Sequence, residues 1–374
     1  MAAPTVRPQS TSLNMSAKDI DGLVPNAFKK FKSLQTIDLS ANNLLEVISD
    51  VFDDLSASLR QLNLSFNRIE RISSSAFDGL TNLESLDLSD NNLFTFDANI
   101  FSRSNLLHLN FLDLSNNKLI FLDPSTFRKL KQLAILNLNV NNLNTIGADA
   151  FRDLAALQSL SIESNQLDQL KPNMFVGLEN LKSLDLNENF IMSIQNDTFN
   201  GLKNLRMLDL SDNRLGDSLD PITFANLTNL VELYLENNSM HMVPENLFAN
   251  LKNLSTLDLS HNFLKSINPK WFTNLTNLKS LDLSGNPFNK LIDNQFGNSR
   301  LIELLYLNGT NLSSIDKKAF RNLVNLNYLD LSSNEIKDLN DLFDNLTNLS
   351  FLSLESNKID TLAKDLFDDL IDLE

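Results

Sequence analysis

The sequence predicts a solenoid, in which short coils stack in series and pair their strands in a parallel β-sheet. An asparagine recurs through the chain, and nine of its thirteen steps are 24 residues long. The same phrase precedes it each time, as between Leu205 and Asn213, with leucines at its first, fourth and sixth positions. A fixed period of roughly 20–50 residues is typical of repeat architectures. The recurring slot holds Asn42, Asn67, Asn91, Asn117, Asn141, Asn165, Asn189, Asn213, Asn238, Asn262, Asn286, Thr310, Asn334 and Asn357.

Each phrase predicts a short strand followed by a turn. Leu184 and Leu186 alternate with Asp185, which is the pattern of a strand with one buried face. Asn189 follows where the chain must turn, and its amide can both donate to and accept from loose backbone groups. We expect successive asparagines to stack as an internal ladder.

A phenylalanine column predicts the opposite side of the core. Fifteen of the 25 phenylalanines recur in one register. An aromatic strip for ligand binding is one interpretation, but a buried spine is favoured, because burying each ring contributes roughly 1.5–3 kcal/mol. The column is Phe28, Phe52, Phe77, Phe101, Phe127, Phe151, Phe175, Phe199, Phe224, Phe248, Phe272, Phe296, Phe320, Phe343 and Phe367.

The leucine phrase, its asparagine and the Phe199-Asn200-Gly201-Leu202 segment together resemble the leucine-rich repeat family. The match is to its 24-residue typical class, as in Toll-like receptor ectodomains and small leucine-rich proteoglycans, and it covers nearly the whole chain. This resemblance implies an α/β solenoid: a right-handed horseshoe with a concave parallel β-sheet and a convex side of irregular and 3₁₀ segments.

The repeat defines the expected domains. Residues 1–12 are expected to form an N-terminal tail, either disordered or derived from cloning. Residues 13–374 form a single solenoid of about 15 repeats. The first repeat is degenerate, with Lys18 in the asparagine slot, and the last is cut short after Phe367. We expect either truncation of a longer protein, which is favoured, or burial of this end by a partner.

Composition excludes several classes of protein. The net charge of −16 would repel a phosphate backbone, so no nucleic acid is expected as a partner. No transmembrane segment is expected, because no stretch approaches the roughly 18 apolar residues that one requires. The chain has no cysteine and no apparent signal peptide, which fits a cytoplasmic location. Extracellular family members usually carry cysteine-bonded caps, so a fragment lacking those caps would also have no cysteine.

No catalytic, cofactor-binding or metal site is predicted. His108, His241 and His261 occupy unrelated registers, so neither a zinc site nor a catalytic triad is indicated. The sequence contains neither a phosphate loop nor a dinucleotide fingerprint. The chain is therefore not expected to be an enzyme.

Carboxylates recur at the central exposed position of the predicted strands. Neighbouring strands lie about 4.8 Å apart, so adjacent carboxylates would repel one another. A basic partner or a cation would relieve that repulsion. The alternative, which is favoured, is that aspartate here is only the family consensus. The candidate ligand contacts are Asp185, Asp209, Asp258 and Asp282.

Aromatic side chains give a second set of candidates on the concave face. Tyr234 and Tyr306 share the column of the aspartates, whereas Tyr328 and Phe351 share the neighbouring column. Exposed aromatic rings on a rigid sheet are favoured binding anchors. Tyrosine is also a good strand former, so its occurrence here by chance is equally plausible.

Eleven sequons for N-glycosylation occur, against about eight expected by chance from the asparagine, serine and threonine content. Three of them, within Asn-Leu-Thr-Asn-Leu segments, are expected at the back of the coils, where a glycan would leave the concave face open. These candidate sites are Asn226, Asn274 and Asn345.

The leading hypothesis is a recognition module. It would bind a protein or glycoconjugate on its concave face, within an extracellular or cell-surface receptor, adhesion or matrix protein. The alternative is an intracellular scaffold or regulator. A third hypothesis is a structural element that forms a homodimer through its open C-terminal coil.

Overall fold

A computed structural model describes residues 9–339 and 341–374, apart from the side chain of Ser102. Most of the tail expected at residues 1–12 lies outside the described residues. The chain divides into two compact units, each a stack of coils. The first comprises Met1–Asp168, Asn173–Asp185 and Asn200–Leu202, and the second comprises Gln169–Pro172, Leu186–Phe199 and Lys203–Glu374.

Both units carry the predicted parallel sheet, with one three-residue strand from each coil. The middle residue of a strand packs into the core, as Leu136 does, while its two neighbours face solvent. The first unit contributes Ser12–Asn14, Thr36–Asp38, Gln61–Asn63, Ser85–Asp87, Phe111–Asp113, Ile135–Asn137, Ser159–Ser161 and Ser183–Asp185. The second contributes Met207–Asp209, Glu232–Tyr234, Thr256–Asp258, Ser280–Asp282, Leu304–Tyr306, Tyr328–Asp330 and Phe351–Ser353. The predicted parallel-strand solenoid is confirmed.

Short elements complete the coils beyond the main sheet. Two-residue parallel strands pair Glu46–Val47 with Arg71–Ile72, Phe121–Leu122 with Thr145–Ile146, Gln169–Leu170 with Ser193–Ile194, and Lys290–Leu291 with Ser314–Ile315. The helical segments of the described residues are the 3₁₀ turns Asp53–Leu55 and Pro269–Phe272 and the single α-turn Ile100–Arg103. Turns form most of the remaining chain, as expected for a convex side of irregular segments.

The recurring asparagine forms the expected ladder, which Asn141 illustrates. Its Nδ2 donates to the carbonyls of Leu138 and Asn139, both at 3.1 Å, and to that of Leu114 in the preceding coil at 3.0 Å. Its Oδ1 accepts the backbone N–H of Leu119, also in the preceding coil, at 3.0 Å. One buried amide therefore pairs the backbone groups of a turn and links two coils by hydrogen bonds.

The residue before each ladder position adopts a left-handed backbone conformation, which the sequence did not lead us to expect. Fourteen such residues have φ between 49° and 67°, and only two are glycine. The set comprises Ala41, Phe66, Asp90, Asn116, Val140, Ser164, Glu188, Asp212, Asn237, His261, Gly285, Gly309, Ser333 and Ser356. The ladder thus holds even a β-branched residue in a region that costs it energy.

A second set of asparagines links the coils at the back. The Asn82 side chain donates to the Ala57 carbonyl at 2.9 Å, and Asn253 donates to that of Thr228 at 3.0 Å. Similar bonds to the preceding coil are made by Asn180, Asn229, Asn250, Asn274, Asn277, Asn298, Asn325 and Asn348. Polar side chains therefore join the coils on two sides of the core.

The phenylalanine column forms the buried spine that was favoured. Phe151 is fully buried, with ring centroids 6.1 Å from Phe127 and 6.3 Å from Phe175 in near-parallel stacking. In the second unit, Phe296 stacks on Phe320 at 6.2 Å. The spine fills the core opposite the sheet. Its last member, Phe367, is 39% exposed.

Replacing Val140 by Asn should raise the free energy of unfolding by about 1 kcal/mol, because Asn tolerates the left-handed region better than a β-branched residue. Val140 is 46% exposed, so little buried surface is lost. The matched reverse change, Ser333→Val, should lower stability by a similar amount. Urea unfolding followed by circular dichroism measures both, and a destabilised Val140→Asn variant would contradict the prediction.

Replacing Phe151 by Ala should lower the free energy of unfolding by roughly 3–5 kcal/mol, since a fully buried ring leaves a cavity. Phe66 is the matched control, because its ring is 61% exposed. The Phe66→Ala change should cost less than about 1 kcal/mol. Equal losses in urea unfolding would show that the column is not the core of the coils.

Candidate ligand-binding face

The candidate site lies on the sheet surface, which we define as the strand residues on either side of the buried leucine. The carboxylates of this surface have a local structural role. Asp113 Oδ1 accepts the backbone N–H of Ser115 at 2.8 Å and its hydroxyl at 2.6 Å. Asn63 makes the same two bonds to Ser65, at 2.9 and 2.7 Å. A neutral amide therefore caps the end of the strand as well as an aspartate does.

The four candidate aspartates take this position in the two units. Asp185 lies in the first unit, where its Oδ2 accepts the Ser161 hydroxyl at 3.1 Å. In the second unit, Oδ1 of each remaining aspartate accepts the backbone N–H two residues on, at 2.9 Å for Asp209 and 2.8 Å for Asp258 and Asp282. The consensus interpretation thus has a physical basis in this cap, which uses one carboxylate oxygen.

The predicted repulsion between neighbouring carboxylates occurs in the second unit. Asp258 and Asp282 lie opposite each other on paired strands. Burial, together with the charge of Asp258, raises the pKa of Asp282 above its usual value. Burial, followed by Asp258 and Asp212, likewise raises the pKa of Glu236. The hydrogen bonds that cap these strands add no positive charge, so negative charge is concentrated around Asp258 and Asp282.

Three of the candidate aromatic side chains come together. The ring centroids of Tyr306 and Tyr328 are 5.1 Å apart, and those of Tyr328 and Phe351 are 4.4 Å apart with nearly parallel planes. Phe351 remains 44% exposed. Burial and the charges of Asp282 and Asp330 raise the pKa of Tyr306. The second unit therefore presents a continuous aromatic surface beside carboxylates.

Tyr234 does not join this group. Its strand is three positions from the strand of Tyr306 in the sheet, a separation of about 14 Å at the usual strand spacing. The Tyr234 hydroxyl donates to Glu232 at 3.1 Å. Burial, followed by the charge of Glu232, raises the pKa of Tyr234 to about 12. The structure thus divides the four candidate aromatic residues into a group of three and an isolated one.

Two features of this region were not singled out from the sequence. Asp330 lies opposite Tyr306 in the paired strand and so flanks the aromatic group. His261 lies against Gly285, where an added Cβ would be only 2.6 Å from the imidazole Nδ1. The aspartate was visible in the repeat register as the neighbour of Tyr306. The position of the imidazole over a glycine had no signal in the sequence.

A depression lies on the sheet surface of the first unit. It has a volume of about 310 Å³ and is lined by residues that include Gln61, Asn63, Asp87 and Phe111. A single aromatic ring among polar groups offers less apolar contact than the three rings of the second unit. The second unit is therefore the stronger candidate.

The three candidate glycosylation sites are exposed, as expected for the back of the coils. Asn274 donates its Nδ2 to the Ala249 carbonyl at 2.8 Å, so its amide also links two coils. The Asn345 backbone N–H donates to Asp369 at 2.8 Å. An attached glycan at Asn274 would therefore disturb an inter-coil bond.

The described residues include no group of three or more histidine, cysteine, aspartate or glutamate side chains placed to hold a metal ion. No helix among them is long and apolar enough to cross a membrane. The last coil leaves apolar side chains in solvent, with Ile371 75% exposed and Leu362 60% exposed.

Solved structures with the same architecture come from three kinds of organism. A leucine-rich repeat protein of Leptospira interrogans is 28% identical, with a TM-score of 0.80 over 98% of this chain and 96% of that one. A chain of the Drosophila Toll–Spatzle complex is 23% identical, with a TM-score of 0.86 over 95% of this chain. The ectodomain of the Arabidopsis receptor kinase GASSHO1/SCHENGEN3 is 26% identical, with a TM-score of 0.68 over 98% of this chain.

This chain spans only 48% and 44% of the matched Toll-complex and GASSHO1/SCHENGEN3 chains. Because a bacterial protein also has this architecture, the structural similarity does not favour the animal proteins whose repeat units these units most resemble. No curated protein sequence matches the chain significantly. The model of the leucine rich repeat matches residues 8–69, 57–119, 107–167, 156–215, 216–262, 228–288 and 300–359. A second repeat model matches residues 204–227. With most of its length matched and the ladder, sheet and spine in place, the chain belongs to the leucine-rich repeat family.

Proposed function

We propose that this chain is the ligand-binding part of an extracellular or cell-surface protein and binds a protein or glycoconjugate on its sheet surface. One observation carries the proposal: Tyr306, Tyr328 and Phe351 form a continuous aromatic surface on the sheet, with the two tyrosines half-buried and Phe351 44% exposed. Rings held in place by strands bury much area on binding while losing little conformational entropy.

The solved relatives support recognition as the role of such a surface. They include Toll in complex with Spatzle and GASSHO1/SCHENGEN3 in complex with CASPARIAN STRIP INTEGRITY FACTOR 2. The four candidate aspartates add a negative field that favours basic partners and disfavours nucleic acid. A binding module of this kind requires no catalytic group and no cofactor. The exposed apolar side chains of the last coil support self-association as a second property of the module.

Replacing Tyr234, Tyr306 and Tyr328 together by Ala should weaken ligand binding at least tenfold, since clustered aromatic anchors typically contribute about 2 kcal/mol or more. Folding should remain nearly intact, because all three rings lie on the surface side of their strands. A photo-reactive benzoylphenylalanine in place of Tyr306 would capture the ligand from the secreted proteins of the source organism. Affinities for the captured ligand would then be measured by surface plasmon resonance.

The control for this experiment places the same photo-reactive residue at Lys252, which is exposed at the back of its coil. Capture of one ligand from both positions would show that the sheet surface is not selective. Unchanged affinity in the triple variant would remove these tyrosines from the site. The single Tyr234→Ala variant should have the smaller effect, since that ring lies apart from the group.

Secretion of this chain from a eukaryotic host with an added signal peptide should give a product whose mass falls on glycosidase treatment. We expect glycan at Asn226, Asn274 and Asn345, with lower occupancy at Asn274 than at Asn345 because the Asn274 Nδ2 bonds the Ala249 carbonyl. Peptide mapping by mass spectrometry measures the occupancy of each site. A secreted product without glycan would count against the extracellular assignment and favour the intracellular scaffold.

A further inference from the structure

The aromatic group of the second unit has unused hydrogen-bonding capacity. Among the described residues, the Tyr306 and Tyr328 hydroxyls have no hydrogen-bond partner, whereas Tyr234 donates to Glu232 at 3.1 Å. The rings of Tyr306 and Tyr328 are tilted by 42° with centroids 5.1 Å apart, and both side chains are half-buried. This arrangement can accept both a flat group and a donor of hydrogen bonds.

Carboxylates flank these rings on both sides. Tyr306 lies opposite Asp282 on one neighbouring strand and opposite Asp330 on the other. Each aspartate uses Oδ1 to accept a backbone N–H, from Ser284 at 2.8 Å and Ser332 at 2.9 Å. Those bonds cap the strands without adding a positive charge. The negative charges therefore remain next to the ring, about one strand spacing of 4.8 Å away.

No cation of the described residues neutralises this pair. None of the ion pairs that those residues form includes Asp258, Asp282 or Asp330. Lys279 is one residue before the neighbouring strand, and its Nζ is already paired with Glu303 at 2.9 Å. The imidazole of His261 is close enough to favour the ionised form of Asp282. The negative charge of Asp258 acts in the opposite direction and raises the pKa of Asp282. The site therefore lacks a compensating cation.

From these observations we propose that Tyr306, Tyr328, Phe351, Asp282 and Asp330 form a receptor for an arginine side chain on an extended segment of a protein ligand. This inference rests on the proposed function and names the chemistry of its partner. A guanidinium group stacks on aromatic faces and donates in its own plane to carboxylates on either side. The net charge of −16 favours the approach of a basic segment.

Arginine is favoured over lysine by the shape of the site. A planar guanidinium can lie on the ring of Tyr306 while its edges point toward two carboxylates in the adjacent strands. An ammonium group can pair with the carboxylates but cannot stack as a plane. A ligand that presents lysine should therefore bind more weakly than one that presents arginine. A glycoconjugate without a cationic group could donate hydroxyl hydrogen bonds to Asp282 and Asp330 but would gain no charge pairing from them.

The test uses N-acetyl-arginine N-methylamide as a probe and the whole chain labelled with ¹³C in its tyrosine rings. With only three tyrosines, each resonance can be assigned from single Tyr→Phe variants. We expect saturable shifts at Tyr306 and Tyr328 and none at Tyr234. The citrulline analogue keeps the shape but lacks the charge and should not bind. The lysine analogue should bind more weakly than the arginine probe.

The Asp282→Asn and Asp330→Asn double variant should raise the dissociation constant of the arginine probe at least tenfold. Asn63 and Asn137 already cap their strands from the equivalent position, so these changes preserve the fold while removing charge. Asp38→Asn is the matched control, because Asp38 accepts from Ser40 in the same way but has no aromatic neighbour in its strand pair. That variant should leave the dissociation constant unchanged.

Several results would overturn the inference: no saturable shift, equal shifts of all three tyrosines, equal binding of the citrulline analogue, or no effect of the double variant. These failures are distinct from failure of the proposed function. If the probe does not bind but the tyrosine variant still loses the captured ligand, only the arginine assignment is wrong. If the probe binds but the captured ligand contacts the back of the coils, recognition on the sheet surface is wrong.

Discussion

The structure of most coils depends on one buried amide. Where the chain leaves a strand of the main sheet it turns without a helix, and the ladder asparagine replaces the missing backbone partners. Asn141 makes four such hydrogen bonds, two of them to the preceding coil. Leaving a buried donor or acceptor unpaired costs roughly 1–3 kcal/mol each. The left-handed residue beside it costs about 1–2 kcal/mol. The amide therefore determines the backbone conformation, and Val140 adopts it despite its branched side chain.

Hydrogen bonds to the backbone also explain why the sheet surface can carry charge without destabilising the fold. Asn63 and Asn137 cap their strands as well as the aspartates do, so the cap needs an acceptor but no charge. The carboxylates at Asp258 and Asp282 repel each other and are therefore unfavourable as isolated features. Their charge is available for interactions outside the molecule. Surface chemistry and core stability are thus largely separate properties of each coil.

The regular period is the reason that the architecture could be predicted from the sequence. Strand, turn and spine recur in a fixed register, so the environment of Asn189 or Phe199 could be inferred from that of its equivalents in other repeats. Individual contacts were harder to predict. The sequence placed Tyr328 and Phe351 in one column and Tyr306 in the next, but only coordinates show that the three rings touch while Tyr234 is separate. Most of the back asparagines had a signal, the repeated Asn-Leu pair, but only Asn274 among them was interpreted from the sequence, as a candidate glycosylation site. The left-handed column had none, because most of its residues are not glycine.

The reach of the ladder amide has a consequence for how such a molecule can change. Asn141 bonds only within its own coil and to the one before it, and most junctions use the same short-range set of bonds. Duplication of about 24 codons would therefore insert a coil that already fits both neighbours. The length of surface available to a partner can grow or shrink by whole steps, while the side chains that choose the partner diversify independently.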